Sequence, residues 1–244
     1  DAIFVGNMLA PRLSQQQNVG ALIADFCGFK GTEAITVEAA GASGAAAVRQ
    51  AILAIRSGEI NTALVVGVEK MTDAVGTDVT TAIAGGADSD WELAHGLTAP
   101  AIAALIMRRY MYEYSVPTDG LSGFSVNAHK NASTNSYAMF RNLISSEQYS
   151  RGAMVSSPVN VFDSAPDADG AAALVITSSD RELVEGRTIQ IAASNLTTDS
   201  LAIHDREDLL TFSAAETSAR YAYDQAGIDS NDIDVAEIYD RFGV

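Results

Sequence analysis

The chain has 244 residues, 48% of them hydrophobic, a formal net charge of −16 and one cysteine. This length and hydrophobic content are typical of one large or two smaller folded domains with a substantial core. The acidic charge argues against a nucleic-acid or anionic-membrane partner. A single cysteine excludes an internal disulfide and is consistent with a reducing, cytoplasmic setting. No uninterrupted apolar run is long enough to span a bilayer.

Hydrophobic periodicity predicts alternating strands and helices in the first part of the chain. Strand, helix and strand follow one another at the spacing of a βαβ unit, so we expect a sheet that is at least partly parallel. The elements predicted here are strands at 1–7, 34–37 and 62–69 and helices at 15–26 and 45–56.

The remaining part opens with a small, polar and acidic stretch at 72–100, which we interpret as an excursion over the sheet. Apolar residues then recur at helical spacing, and short apolar runs between turn signals indicate extended segments. The predicted elements are helices at 99–114, 122–133 and 214–226 and extended segments at 155–162, 169–176, 189–194 and 234–240.

A corner of glycine, alanine and serine joins the strand at 34–37 to the helix at 45–56. It reads Ala40-Gly41-Ala42-Ser43-Gly44. Such small residues let another backbone or a ligand come close, and the first N–H groups of the helix point at whatever lies over the corner. The pattern therefore predicts a binding site here, with Ser43 placed to cap the helix.

A short internal echo suggests two repeated halves. The segment 234–238 reads Asp-Val-Ala-Glu-Ile, and the chain itself begins Asp-Ala-Ile-Phe-Val. If these strands are equivalent, the first half lacks its opening strand and helix, and the second half lacks nearly everything after its second strand. The chain also opens on Asp1 rather than Met, so we expect it to be truncated at both ends.

Seven blocks of sequence, in order along nearly the whole chain, resemble the thiolase superfamily. Two of them are Val37-Glu38-Ala39-Ala40-Gly41-Ala42-Ser43-Gly44 and Ala236-Glu237-Ile238-Tyr239-Asp240-Arg241-Phe242. The others lie at 57–59, 66–71, 96–100, 126–131 and 169–173. Within the superfamily, the chain most resembles the sterol-carrier and lipid-transfer-type thiolases of archaea and bacteria.

The resemblance implies an α/β protein with the thiolase fold, in which two similar halves with mixed sheets pack as five layers, α-β-α-β-α. The first half would span 1–178, with a loop excursion at 72–150, and an incomplete second half would span 179–244. It also implies a homodimer and an acyl-CoA substrate, with coenzyme A entering only as part of that substrate and no other cofactor.

Two positions depart from the family pattern. Active thiolases carry a cysteine where Gly41 stands; the helix N-terminus lowers its pKa, and its thiolate takes the acyl group. Tyr239 occupies the Asn or His position of the Asn-Glu-Ala-Phe or His-Asp-Ala-Phe motif, which helps hold the thioester oxygen. Both changes resemble the thiolase-like aldolases of steroid side-chain breakdown, which cleave a β-hydroxyacyl-CoA and work with a small OB-fold, DUF35-type partner.

Three functions follow from the resemblance. The first is retro-aldol or aldol chemistry on an acyl-CoA, which needs a base and donors for an enolate-like oxyanion but no acyl-enzyme. The second is acyl transfer by thiolase or Claisen chemistry, using residues beyond this chain. The third is a non-catalytic subunit that binds acyl-CoA or a partner protein in lipid metabolism.

The candidate site residues have functional and structural interpretations. Gly41 is either the vacated nucleophile position or the glycine of a tight turn, and Tyr239 is either an acid/base or oxyanion donor or a packing residue. Substrate contacts are also predicted for four further residues: His129, Ser43, Thr98 and Met71. Cys27 is predicted to be a buried small hydrophobe, and no cluster has metal-ligand spacing.

Overall fold

The computed structural model describes residues 1–179 and 189–244. They form two compact units. The first unit comprises Asp1–Ala82, Ala168–Thr198 and Ser213–Ile233, and the second comprises Ile83–Asp167, Asp199–Phe212 and Asp234–Val244. The boundary between two thiolase-like halves after residue 178 stays a prediction.

The described residues contain six strands and eight α-helices, together with short 3₁₀ turns. The strands are β1 (Ala2–Gly6), β2 (Glu33–Val37), β3 (Thr62–Glu69), β4 (Met154–Ser156), β5 (Val159–Asn160) and β6 (Gly170–Thr177). The helices are α1 (Ala10–Leu13), α2 (Val19–Phe26), α3 (Ser43–Arg56), α4 (Gly76–Ala84), α5 (Ala99–Tyr114), α6 (Ser122–Ala132), α7 (Ser146–Ser150) and α8 (Ser213–Ala226). β3 and α5 have the predicted bounds.

The first unit is built on a mixed four-stranded sheet in the order β2-β1-β3-β6. β1 pairs in parallel with β2 and β3, whereas β6 runs antiparallel to β3. In this register Gly6 lies between Val37 of β2 and Gly67 of β3. Because the carboxyl ends of β1, β2 and β3 share one edge of the sheet, the segments that follow these strands meet there.

β1 is buried on both faces, so its residues alternate between two cores. Phe4 packs with Ala47 and Ala51 of α3 on one face. On the other face, Val5 packs with Val19 and Ala24 of α2. This sandwiching explains why the strand is a continuous apolar run. The predicted βαβ arrangement is confirmed by β2 and β3, which both run parallel to β1 and are joined through α3.

The second unit is organised around α5. Thr98 caps this helix by accepting a hydrogen bond from the Ala101 N–H. The buried face of the helix carries Ala103, Ala104 and Met107, which pack with Leu121 and Val159. In the described part of the chain, no helix is both long and apolar enough to cross a membrane.

The segments predicted as strands at 189–194 and 234–240 have no regular secondary structure. A strand needs a hydrogen-bonded neighbour along its length, and no described strand lies beside either segment. Near the second, a single antiparallel bridge joins Ser164 to Phe242. Both segments are also largely exposed, with Ile189 at 87% and Val235 at 79% exposure. The apolar runs therefore predicted neither a partner strand nor burial correctly.

The helix predicted at 15–26 starts later, and its buried residues are Val19, Gly20 and Ala24. Asn18 has a left-handed backbone with φ 54°, which cannot continue a helix, so α2 begins at Val19. Gly20 lies directly on β2, where an added Cβ would come within 2.8 Å of the Ile35 carbonyl carbon. This contact turns Phe26, which is 91% exposed, away from the core. Cys27 at the helix end is also exposed, so its predicted burial is wrong.

Candidate active site

The corner between β2 and α3 is shaped by its own side chains. Ser43, buried at 4% exposure, accepts a hydrogen bond from the Ala39 N–H at 2.9 Å and donates one to the Ala40 carbonyl at 2.7 Å. Ala40 has a left-handed φ of 47°, an unusual conformation for a residue with a Cβ. These bonds close a 3₁₀ turn over Ala40–Ala42 immediately before the helix.

Ser43 was predicted to cap α3, but it does not occupy the N-cap position. The N-cap position belongs to Ala42, which makes no side-chain cap bond, and Ser43 is the first helical residue. Its hydroxyl therefore closes the turn that precedes the helix. A role of Ser43 in substrate binding stays a prediction.

The end of β1 supports the corner from below. A Cβ added to Gly6 would lie 2.6 Å from the Ser43 carbonyl oxygen and 2.7 Å from the Gly44 Cα. Only a glycine permits this backbone-to-backbone approach. Gly41 above it is exposed to solvent. The corner thus presents an accessible glycine just before the positive end of a 14-residue helix.

Two carboxylates fasten the chain at the end of β3. Glu69 accepts hydrogen bonds from the Met8 N–H at 2.5 Å and from the Asn7 amide at 3.1 Å. Asp169 accepts from the Met71 N–H at 2.6 Å and from the Thr72 N–H at 2.9 Å. The hydrogen bonds from Thr72 and Met71 hold the pKa of Asp169 below its ordinary value.

The structure brings three of the predicted site residues to one edge of the first unit. Gly41 and Ser43 follow β2, and Met71 follows β3, on either side of the end of β1. The Met71 side chain is buried at 7% exposure, and its N–H is bound to Asp169. Asp169 anchors a backbone turn ahead of β6 through these bonds.

Tyr239 lies in the second unit, in a segment without regular structure, and is 74% exposed. The chain is attached just beyond it. The Ala165 N–H donates to the Arg241 carbonyl at 2.9 Å, and the Gly243 N–H donates to the Asp163 carbonyl at 2.8 Å. Tyr239 is therefore an accessible phenol two residues before a fixed point.

A buried polar network lies under this attachment. Tyr149, 1% exposed, donates its hydroxyl to Asp163 Oδ1 at 2.7 Å, and the Asn160 N–H donates to Asp163 Oδ2 at 2.9 Å. Burial, followed by the hydrogen bond to Asp163 and its charge, raises the pKa of Tyr149 above its ordinary value. The phenol thus stays a donor well into the alkaline range. None of these three residues is among the predicted site residues, because no local pattern links Tyr149 to Asn160 and Asp163.

His129 and Thr98 also lie in the second unit. His129 Nδ1 is 2.8 Å from the Asn142 carbonyl. Because a carbonyl only accepts, Nδ1 donates the proton of this hydrogen bond. The ring stands edge-on to Phe162, with centroids 6.0 Å apart. Thr98 uses its hydroxyl to cap α5. The predicted contact of Thr98 with substrate stays a prediction.

The described residues contain no cluster of three or more His, Cys, Asp or Glu side chains that could hold a metal ion.

Comparison with known proteins identifies two matching families. The sequence matches the family "Thiolase, N-terminal domain" over residues 1–157 and the family "Thiolase C-terminal domain-like" over residues 196–244. Over its whole length the chain is 40% identical to an acetyl-CoA acetyltransferase of Methanocaldococcus jannaschii, of which it spans 62%. An alignment over 64% of the chain shows 28% identity to a steroid side-chain-cleaving aldolase of Thermomonospora curvata and covers 43% of that protein.

A solved structure, the Ltp2-ChsH2(DUF35) aldolase, is similar to this chain over its whole length. The TM-score is 0.81 at 22% sequence identity, and the match covers 63% of the chain in that structure. At this identity the likeness concerns the fold. It agrees with the mixed sheet and flanking helices of the first unit.

Proposed function

The chain belongs to the thiolase superfamily, and we propose that it acts on a carbon–carbon bond of an acyl-CoA thioester by cysteine-independent retro-aldol or aldol chemistry. The observation that carries this proposal is the corner before α3. Its backbone is held by Ser43 and Gly6, yet the residue at the family's cysteine position is Gly41. A glycine leaves room for substrate and forms no acyl-enzyme.

Retro-aldol cleavage of a β-hydroxyacyl-CoA needs a base and an oxyanion donor. The base removes the β-hydroxyl proton, the bond between the α and β carbons breaks, and the β carbon becomes a carbonyl. The electron pair passes to the α carbon as a thioester enolate, which then takes a proton to give the shortened acyl-CoA. Each step moves a proton or stabilises an oxyanion, and both are tasks of a positioned phenol.

Tyr239 is our candidate for that phenol. It stands at the motif position that holds the thioester oxygen in the family, it is exposed, and the backbone just beyond it is bound. His129 is a second candidate contact, with a ring whose Nδ1 donates to the Asn142 carbonyl. Both assignments are proposals drawn from the family motif.

The test is turnover of β-hydroxyacyl-CoA esters by the full-length protein and its Tyr239→Phe variant. We expect the variant to lose about 100-fold or more in kcat, since general acid–base groups contribute about 10² to 10⁴. Tyr137→Phe is the matched control, because Tyr137 is also in the second unit and is 97% exposed. Full activity of Tyr239→Phe would refute the mechanism.

A second candidate function is acyl transfer by thiolase or Claisen chemistry. It is supported by the 40% identity to a protein named acetyl-CoA acetyltransferase. Because this chain spans 62% of that relative, the required nucleophile would lie outside it. The full-length protein should then catalyse thiolysis of a 3-oxoacyl-CoA with Gly41 in place. The retro-aldol proposal instead predicts that the protein with Gly41 catalyses no thiolysis and that only Gly41→Cys can gain it.

The partner proposals can be tested separately. The similarity to a DUF35-containing aldolase supports a small OB-fold partner, and the family resemblance supports a homodimer. Tagged full-length protein co-expressed with a DUF35-type protein from the same genome should retain it through size exclusion. Acyl-CoA binding without turnover, with or without that protein, would instead favour a non-catalytic subunit.

A further inference from the structure

Residues 234–244, the Tyr239 segment, are attached to the turn at residues 160–165. The segment has no regular structure, and its backbone hydrogen bonds run from Ala165 to Arg241 and from Gly243 to Asp163. Phe242 between them packs against the apolar face of α5. The position of Tyr239 is therefore set by the position of this turn.

Asp163 is the best-fixed residue of the turn. It is 3% exposed, and its two carboxylate oxygens accept from the Tyr149 hydroxyl and the Asn160 N–H. The Asn160 amide in turn donates to the Tyr149 carbonyl at 3.3 Å. A buried carboxylate is tolerated only when its acceptors are satisfied, and such a network permits few alternative arrangements.

Gly243 lies directly against this carboxylate. A Cβ added to Gly243 would come within 2.9 Å of Asp163 Oδ1 and 3.7 Å of the Asp163 Cα. Asp163 thus contacts the Tyr239 segment twice, through its carbonyl and through its side chain. Any movement of the carboxylate is transmitted to the segment.

The same turn contacts the helix that carries His129. Ser125 of α6 donates its hydroxyl to the Phe162 carbonyl at 2.8 Å, and the His129 ring stands edge-on to Phe162. Phe162 and Asp163 are neighbours in the chain. One short turn therefore contacts both α6 and the Tyr239 segment.

We infer that Asp163 is a positioning residue, which holds the Tyr239 segment, and through Phe162 the face of α6, in the geometry used for catalysis. This inference rests on the proposed function, in which Tyr239 contacts the substrate. Asp163 itself is buried and touches no reacting atom. Its loss should therefore change the rate of the bound complex more than the affinity for the thioester.

The experiment compares three variants of the full-length protein. Asp163→Ala removes both acceptors. Asp163→Asn keeps one acceptor and supplies a donor to the Tyr149 hydroxyl, which can turn to accept. Gly243→Ala keeps every side chain of the network and places a Cβ 2.9 Å from Asp163 Oδ1, so the segment and the carboxylate must move apart. Gly123→Ala on α6 is the matched control, since an added Cβ there meets nothing within 4 Å.

We expect Asp163→Ala and Gly243→Ala to lower kcat by about 10- to 100-fold with KM changed by less than about threefold, because a misplacement of about 1 Å costs up to this much. Asp163→Asn should restore most of the rate, and the control should match wild type. Hydrogen exchange of the peptide containing residues 239–244 should be faster than wild type in Asp163→Ala and unchanged in Asp163→Asn.

The outcomes separate this inference from the proposed function. A wild-type protein with no turnover overturns both together. An active wild type whose kcat survives Asp163→Ala and Gly243→Ala overturns the inference alone, as does faster exchange without loss of rate. If Asp163→Ala does not fold, Gly243→Ala with its Gly123→Ala control decides the matter.

Discussion

The corner before α3 and the segment that carries Tyr239 are held in place in different ways. At the corner, Ser43 bonds to backbone groups three and four residues away. The Tyr239 segment has no such local closure, and its contacts reach back more than seventy residues to Asp163 and Ala165. Local bonds give a shape that neighbouring residues encode, whereas the distant attachments need residues that only the tertiary structure brings together. The comparison predicts different responses to substitution.

The largest effect is expected where the corner rests on the sheet. Gly6→Ala would place a Cβ 2.6 Å from backbone that cannot move independently, so we expect a loss of about 3 kcal/mol in the free energy of unfolding. Gly67→Ala is the matched control, because Gly67 pairs with Gly6 in register but an added Cβ there meets nothing within 4 Å. Denaturant unfolding of both variants measures the difference; equal stabilities would show that the close approach is not needed.

A smaller loss is expected from the bonds within the corner. Ser43→Ala removes the acceptor of the Ala39 N–H and should cost about 1.5 kcal/mol. Ser57→Ala serves as control, because its exposed hydroxyl donates to the Ala54 carbonyl and accepts only a long hydrogen bond, 3.4 Å, from the Glu59 N–H at the end of α3. The two variants can be compared by thermal unfolding. A Ser43→Ala protein as stable as Ser57→Ala would mean that the turn holds without the hydroxyl.

The buried network of Tyr149, Asn160 and Asp163 should make the stability of the protein depend on pH in the alkaline range. The folded-state pKa of Tyr149 is raised above the ordinary value of about 10. The contribution of the protonated Tyr149 hydroxyl to the free energy of unfolding is therefore fully present below about pH 10. Above that pH the contribution declines, by up to about 1.4 kcal/mol per pH unit. Tyr149→Phe should flatten this decline and Tyr137→Phe should not. Unfolding measured between pH 8 and 11 provides the test, and equal slopes in all three proteins would contradict the assignment.

The smallest effect is expected at Asp169, which joins the end of β3 to the start of β6. Asp169→Asn weakens the acceptor for the Met71 and Thr72 N–H groups, so these amides should exchange several-fold faster. Because the folded-state pKa of Asp169 is lowered, its contribution should persist above about pH 4 and fade as the pH falls below it. Asp78→Asn on α4 is the control, and unchanged exchange at Thr72 would refute the role.

Periodicity predicted the elements of the first unit well, because strands sandwiched by helices must be apolar on both faces. β3 has the predicted bounds, and α3 begins only two residues early. The errors occurred where a contact outside the local pattern decided the outcome. Gly20 against β2 set which face of α2 is buried, and 234–240 lacks a described neighbour strand.

The order of small residues at 40–44 was enough to predict a tight corner before a helix, because a strand-to-helix turn of such residues is a local property of the backbone. The family blocks likewise pointed to Gly41 and Tyr239 as the two unusual positions. Only the folded chain showed that Gly6 supports the corner and that Asp163 holds the Tyr239 segment. Those contacts join residues far apart in sequence, and their geometry depends on packing that no local pattern encodes.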